Sequence, residues 1–408
     1  MNLKEKAYLL LKEWKNDNYI NGSGVLSQIG KLAKNNCKSP LIVCNLSHKI
    51  VLNKIITSLS DSGITPVGIA PGVKPNSPRE DVYRLTTWIL NYKPDCIIAI
   101  GGGSTIDASK AAIVLSSLGK AVTPEIDYYL GSGIVSKELK NNNLKLLPLI
   151  AISTTASSGS HLTKYANITD TASGQKKLIV DEKIVPIASL FDYDTTATMP
   201  LKVTIDGILD AISHTFEVYW GNNTPLCKNL ALITIELCLK YAPILISNPY
   251  NLEAREAIGL ATDLGGYAIM IGGTSGAHLN SFSFVKLTGH GTACGIMNPY
   301  YSILFSRAIK PQLEAISKVF KIYGFERDTV AEAMIAFSKS LNAPTTLQEL
   351  PNFDKSYITK ALTAAKDPSL KMKLQNMPIP MTNEDIETYM RPLLNAAATG
   401  NLDLIKKM

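Results

Sequence analysis

The stretch CIIAIGGGSTIDASKAA, residues 96–112, decides the fold. Its first five residues are an unbroken apolar run, short and rich in isoleucine, as expected for a strand buried on both faces. Gly101, Gly102 and Gly103 follow directly, and a helix follows them. Glycines at such a turn let backbone N–H groups approach an anion while the helix presents its positive end to it. The pattern is not G-x-G-x-x-G, so it does not by itself specify a dinucleotide. Ser104 could cap this helix, and Asp107 could be a first-turn carboxylate interacting with its end.

The same alternation extends outward. SPLIVCNL (39–46) reads as a buried strand, VLNKIITSLSDSG (51–63) as a helix closed by Gly63, TPVGIA (65–70) as a strand, and SPREDVYRLTTWILNY (77–92) as a helix. Strands and helices alternating in this way predict right-handed βαβ units and a parallel sheet. A second small-polar turn, AISTTASSGS (151–160), follows the apolar LPLI. Two such turns on neighbouring strands would face one crevice, where open α/β sheets bind ligands. Beyond Pro200 the periodicity is helical almost throughout: 202–220, 226–242, 251–271, 310–324, 327–341, 355–366 and 383–398. The texture changes at DTTATMPL (194–201), so the expected organisation is an α/β domain over 1–197 and an all-helical domain over 198–408. A leading helix over 3–15 carries Leu3, Ala7, Leu10, Leu11 and Trp14 on one face, to pack on the body or on a partner subunit.

Composition narrows the function. The chain has 408 residues, too many for one compact core, with 46% hydrophobic and 18% charged residues, ordinary for a globular protein. Its charge of +7 comes from scattered lysines without an arginine-rich stripe, which argues against nucleic acid. Six cysteines without C-x-x-C spacing read as buried thiols rather than a disulfide frame. No signal peptide is expected at the N-terminus and no span of about 18 apolar residues elsewhere. The reading is therefore a cytoplasmic protein with no membrane partner.

The chemistry is expected in TIDGILDAISHTFE, residues 204–217. Ile205, Ile208, Leu209, Ile212 and Phe216 recur at helical steps. Asp210 and His214, four apart, leave one face and can share an ion or simply bond each other. Only five histidines occur, and two of the others stand in GGTSGAHLNSFSF (His278) and in the turn TGHGT (His290). One carboxylate and three imidazoles make a mixed N/O set that suits Zn(II) or Fe(II) better than Ca(II) or Mg(II).

Together these motifs resemble the iron-containing, or group III, alcohol dehydrogenase family. The similarity runs from about Tyr19 to the C-terminus and includes NGSG, GVKPNSP, KPDCIIAIGGGSTIDASKA, TTASSGS, the D-x-x-x-H helix, the GHG turn, APTTLQEL and NMPIPMTNEDI. The resemblance implies the dehydroquinate synthase-like superfold: a Rossmann-like N-terminal domain, an all-α C-terminal domain, and NAD or NADP in the cleft between them. It implies a divalent ion, Fe(II) or Zn, on Asp210, His214, His278 and His290, and a homodimer or higher homo-oligomer acting on a small alcohol or aldehyde. Carried over residue by residue, Gly102, Gly103 and Ser104 match the pyrophosphate turn, with Asp107 behind it. Thr154, Thr155 and Ser157 match the second nucleotide turn, and Lys177 the ribose-contacting lysine. Asn45 falls where many members carry an aspartate for the adenine ribose; without that repulsive carboxylate, NADP is allowed.

Two departures stand out. Phe282 occupies the place of a second histidine near the nicotinamide, so a proton would leave through water, the ribose hydroxyl or another residue. His161 replaces a common glutamate and reads as a helix-surface or capping residue. The activity implied is hydride transfer between NAD(P) and an alcohol or carbonyl held at the ion. The alternatives are a non-redox dehydroquinate-synthase-like or a glycerol-dehydrogenase-like member of the superfold, and a binding module with structural metal and nucleotide. Phe282 and Phe284 suggest a partly apolar substrate pocket.

Overall fold

A computed structural model describes residues 1–322 and 329–408. The chain divides into Lys12–Met199 and a second unit, Pro200–Met408 together with Met1–Leu11. The break thus falls after Met199 rather than after residue 197, and the first eleven residues lie with the helical unit. Side-chain chemistry accounts for that placement. The helix Leu3–Lys15 buries Ala7 and Leu11, and Lys4 Nζ and Tyr8 Oη donate to Glu256 at 2.8 and 2.7 Å.

The unit Lys12–Met199 contains β1 (Tyr19–Gly22), β2 (Leu41–Cys44), β3 (Gly68–Pro71), β4 (Ile97–Gly101), β5 (Gly131–Ser132), β6 (Leu149–Ser153), β7 (Tyr165–Asp170), β8 (Gln175–Val180) and β9 (Ala188–Asp192). Six of them form a parallel sheet in the order β1-β9-β6-β4-β2-β3. Strand side chains alternate between its faces. Leu41, Val43, Ile97 and Ala99 pack with Ile106 and Ile113 of the helix Gly103–Leu118. Ile42, Ile98 and Ile150 pack on the other face with Leu52, Ile55 and Leu59 of the helix Lys49–Asp61. Each such side chain contributes about 2 kcal/mol on burial, so a one-residue slip of a strand would cost the whole set.

The helices after β2 and after β4 therefore cover opposite faces. Adjacent parallel strands whose connections leave in opposite directions define the switch point at which such sheets open a crevice. Asn45 follows β2, and Gly102 follows β4, at that position.

Three features depart from the sequence reading. First, β7 and β8 form an antiparallel hairpin that, with β5, makes a separate three-stranded sheet. The adjacent Lys176 and Lys177 hide its period-two pattern, and its turn is closed by Gly174 at φ 62°. Second, Cys37 and Cys96 are joined as a disulfide with Cα atoms 5.7 Å apart, whereas Cys44, Cys227, Cys238 and Cys294 are buried free thiols. Their separation of 59 residues concealed the pairing, which the core of the α/β unit creates by placing both residues in one cluster. Third, the helix Pro225–Ser247 is long and apolar enough to cross a membrane by length and composition alone, contrary to the sequence expectation. It buries Leu230, Ile235, Leu237 and Leu245 within its unit.

The expected helices of the second unit are present as Leu201–Gly221, Pro225–Ser247, Leu252–Ile271, Lys310–Val319, Thr329–Ser340, Ser356–Ala365 and Arg391–Thr399. The last is preceded by a π-helical stretch, Ile386–Met390. Short helices Gly276–Ser281 and Lys371–Gln375, and the longer His290–Leu304, complete the surroundings of the site. Parts of the expected segments 310–324 and 327–341 lie outside the described residues.

Candidate active site

Asp210, His214 and Glu217 project from one face of Leu201–Gly221, at steps of four and three residues, and all are buried. The helix Gly276–Ser281 carries His278 to them, and the turn before His290–Leu304 brings His290. That turn fits because its glycines have no side chain. A Cβ on Gly289 would stand 2.1 Å from Asp206 Oδ1, and one on Gly291 would stand 1.9 Å from the Asp206 carbonyl oxygen. Asp206 fastens the turn by accepting from Thr292 N and Oγ1 at 2.7 and 2.8 Å.

The polar atoms at the centre are not matched to one another. Asp210 Oδ1 lies 3.4 Å from His278 Nε2 and 3.6 Å from His214 Nε2, yet Asp210 Oδ1, His278 Nε2 and His214 Nδ1 are buried without hydrogen-bond partners among the described residues. Ligand atoms about 2.1 Å from a tetrahedral ion are about 3.4 Å from each other, so this spacing is what a divalent ion requires and a hydrogen bond does not. Ligand atoms of Asp210, His278, His290 and Cys294 lie within 4.8 Å of one another. His214 stands just outside that group, its ring stacked on His278 with centroids 4.7 Å apart.

The far sides of two imidazoles are anchored. His278 Nδ1 meets Glu217 Oε1 at 2.6 Å, and Glu217 also accepts from Ser275 N at 2.6 Å. His290 Nδ1 meets Ser281 Oγ at 2.9 Å. Such bonds fix ring orientation and turn Nε2 of His278 toward Asp210. The electrostatics reflect the crowding. Burial would raise the Asp210 carboxyl, but His214 and the neighbouring imidazoles hold it well below the usual range. Burial pushes His214 down to about 4 despite Asp210. His278 is raised against its own burial by Cys294, Glu217 and Asp210. Two buried carboxylates thus draw positive charge toward the centre, the sign that a divalent cation supplies.

Sequence reasoning missed Glu217, Asp206, Cys294 and Lys373. The first two were visible as carboxylates spaced on the face of Asp210, and Cys294 one turn beyond His290. Lys373 is buried; its Nζ donates to Thr274 Oγ1 and lies 5.1 Å from the Phe282 ring centroid. Phe282 in turn stacks on His290 at 5.6 Å. Phe284 packs instead on Tyr357, with centroids 6.3 Å apart.

In the α/β unit the two small-polar turns are neighbours, because β4 pairs with β6 and Gly101 lies opposite Ser153. Thr154 N donates to Gly101 O at 3.1 Å, while the buried Thr154 Oγ1 has no hydrogen-bond partner among the described residues. A Cβ on Gly102 would come 2.9 Å from Thr155 Oγ1, and one on Gly103 would come 2.5 Å from Ser158 Oγ. Among the described residues no side chain caps Gly103–Leu118, so its positive end is left for an anion. Ser104 is not the expected cap, since its Oγ accepts from Asn76 N at 2.9 Å. Both Asp107 oxygens are engaged, by Ser160 Oγ and by Asn167 N at 2.9 Å, so Asp107 braces the turn from behind. Ser157 is partly exposed in the second turn, Lys177 sits on β8 opposite Ile168, and Asn45 directly follows β2 beside Gly72. His161 is not on the surface: it is buried between Tyr19 and Phe191, with Nε2 3.3 Å from Tyr19 Oη.

Models of two parts of one family match nearly the whole chain: iron-containing alcohol dehydrogenase over residues 16–193, and the C-terminal region of the same family over 204–394. The chain belongs to the iron-containing alcohol dehydrogenase family. This family carries out redox chemistry on alcohols and aldehydes with iron and NAD(P). Among relatives, the chain is 30% identical to an NAD-dependent methanol dehydrogenase of Bacillus methanolicus over 63% of this chain and 65% of that protein. It is 27% identical to an NADPH-dependent butanol dehydrogenase of Clostridium saccharobutylicum, over 83% and 86%. The fold matches that of an alcohol dehydrogenase from Oenococcus oeni with a TM-score of 0.79, 24% identity, and coverage of 93% and 98%.

Proposed function

We propose that this protein is a metal-dependent alcohol dehydrogenase or aldehyde reductase whose divalent ion is held by Asp210, His214, His278 and His290. The reading rests on one observation above others: Asp210 Oδ1 and His278 Nε2, buried and unbonded, stand at the mutual spacing of ligand atoms. Such an ion, Fe(II) or Zn(II), acts as a Lewis acid on the substrate oxygen. Glu217 orients His278 and raises its basicity, Ser281 orients His290, and Phe282 shields the His290 ring from water. Gly102, Gly103 and Ser104 would hold the nucleotide, with Thr154, Thr155, Ser157 and Lys177 as contacts and Asp107 as the brace. Asn45 offers an amide rather than a carboxylate to the adenine ribose, so NADP is accepted alongside NAD. The substrate is a small alcohol or its aldehyde; the protein acts in the cytoplasm as a homo-oligomer, without nucleic-acid or membrane partners.

The test is oxidation of NADH and NADPH by short aldehydes, followed by nicotinamide absorbance, with protein loaded anaerobically with Fe(II) or Zn(II). Turnover that needs the ion supports the reading. Tight nucleotide binding with no net change of nicotinamide redox state on any alcohol or aldehyde would overturn it in favour of a non-redox member of the superfold.

A further inference from the structure

Lys373 is a buried cation that feels the charges of Glu217 and Asp210 but is bonded to neither. The residue is 3% exposed, on the short helix Lys371–Gln375. An ammonium has three N–H donors. Among the described residues, its one hydrogen-bond partner is the neutral Thr274 Oγ1, and it forms no ion pair. Its ammonium also lies over the face of Phe282. Thr274 and Phe282 stand four residues before and four after His278, so the ammonium is seated against the segment that bears a ligand imidazole. Phe282 also stacks on His290, which places the cation one aromatic ring from a second ligand imidazole.

A buried cation with unused donors calls for an anion. The nearby carboxylates have other partners: Glu217 is bonded to His278 and Ser275, and Asp210 faces the ion position. We infer that Lys373 is a specificity-determining residue that receives an anionic group, a carboxylate or sulfonate, on the far end of a short aldehyde whose carbonyl lies at the Asp210–His214–His278–His290 centre. This inference rests on the function proposed above. The reaction keeps its balance: the nicotinamide hydride goes to the carbonyl carbon, a solvent proton goes to its oxygen, and the anionic group is unchanged.

Succinate semialdehyde and butanal share chain length and differ in the terminal charge. The metal-loaded native enzyme is expected to favour succinate semialdehyde by tenfold or more in kcat/KM. In Lys373→Met that ratio falls about tenfold to a hundredfold, the range of one charge-assisted hydrogen bond, whereas Lys373→Arg retains most of it. A second readout needs no turnover: calorimetric binding of 4-hydroxybutanoate and of 1-butanol to metal-loaded, nucleotide-free enzyme. Native enzyme should bind the hydroxy acid at least tenfold more tightly, and Lys373→Met should lose that margin. An unchanged ratio in Lys373→Met, or native binding of 4-hydroxybutanoate no tighter than 1-butanol, overturns the inference, the latter even if the Met variant does not fold. If the native enzyme binds 4-hydroxybutanoate through Lys373 yet reduces neither aldehyde, the anion site stands and the oxidoreductase reading fails.

Discussion

Lys110 in the α/β unit and Lys373 in the helical unit pose the same electrostatic problem and meet it in opposite ways. Both are buried, and burial pushes each ammonium down to about 8. Lys110 Nζ donates to the carbonyls of Ser160, Thr163 and Tyr165 at 2.7, 2.8 and 2.8 Å, and Asp107 ties Ser160 and Asn167 into the same cluster. Lys373 has one hydroxyl, and the neighbouring Asp210, His214 and His278 also carry buried atoms without partners. The titration shift does not separate the two lysines; the hydrogen bonding does. A buried charge with every donor engaged organises a fold, and one with donors left open is a capacity for ligand.

The contrast breaks first if the open cluster is itself only architecture. His214→Ala should lower turnover at least about a thousandfold and reduce bound metal measured by elemental analysis, with thermal unfolding of the metal-free protein little changed. A variant that keeps its metal and its rate would erase the distinction. The closed cluster should behave in the reverse manner. Lys110→Met strands three carbonyls and should lower stability by about 3 kcal/mol in denaturant titration, with metal content unaltered. Glu217→Gln lies between these extremes: it keeps the shape but weakens the anchor of His278, so chelator competition should show metal affinity down about tenfold to a hundredfold.

The smallest expected effect concerns pH. The Lys110 amine of the unfolded chain holds its proton to about 10.5, and that of the folded chain releases it at about 8. In this window the unfolded state binds more protons, so stability rises with pH. Native protein should gain about 1.4 kcal/mol per pH unit relative to Lys110→Met between those values, read from paired denaturant titrations. A flat difference would mean that the three carbonyls hold the proton in place.

How much of this was legible depended on the range of the interaction. The apolar runs at 41–44 and 97–100 and the glycines after them announce a buried parallel sheet, because period and turn chemistry are local. Asp210 and His214 were legible as a pair for the same reason, four residues being one helical turn. The hairpin of β7 and β8 was not, since Lys176 and Lys177 break the alternation that would mark it. Ser104 and Asp107 both lie on the expected helix, but Gly102 holds the cap position, Asp107 falls beyond the first turn, and their partners, Asn76, Ser160 and Asn167, arrive from distant segments.

The sequence by itself determined β2, β3, β4 and β6 with the helices between them, the turn between β4 and its helix, and which residue types were available for a metal, all consequences of backbone geometry over a few residues. Tertiary structure alone decided that Glu217 holds His278, that Cys37 meets Cys96, that His161 is a core residue, and that Lys373 stands beside Phe282 with donors unused. Those outcomes depend on which faces of separate elements pack together. Separations of 59 to 142 residues leave no periodic trace along the chain.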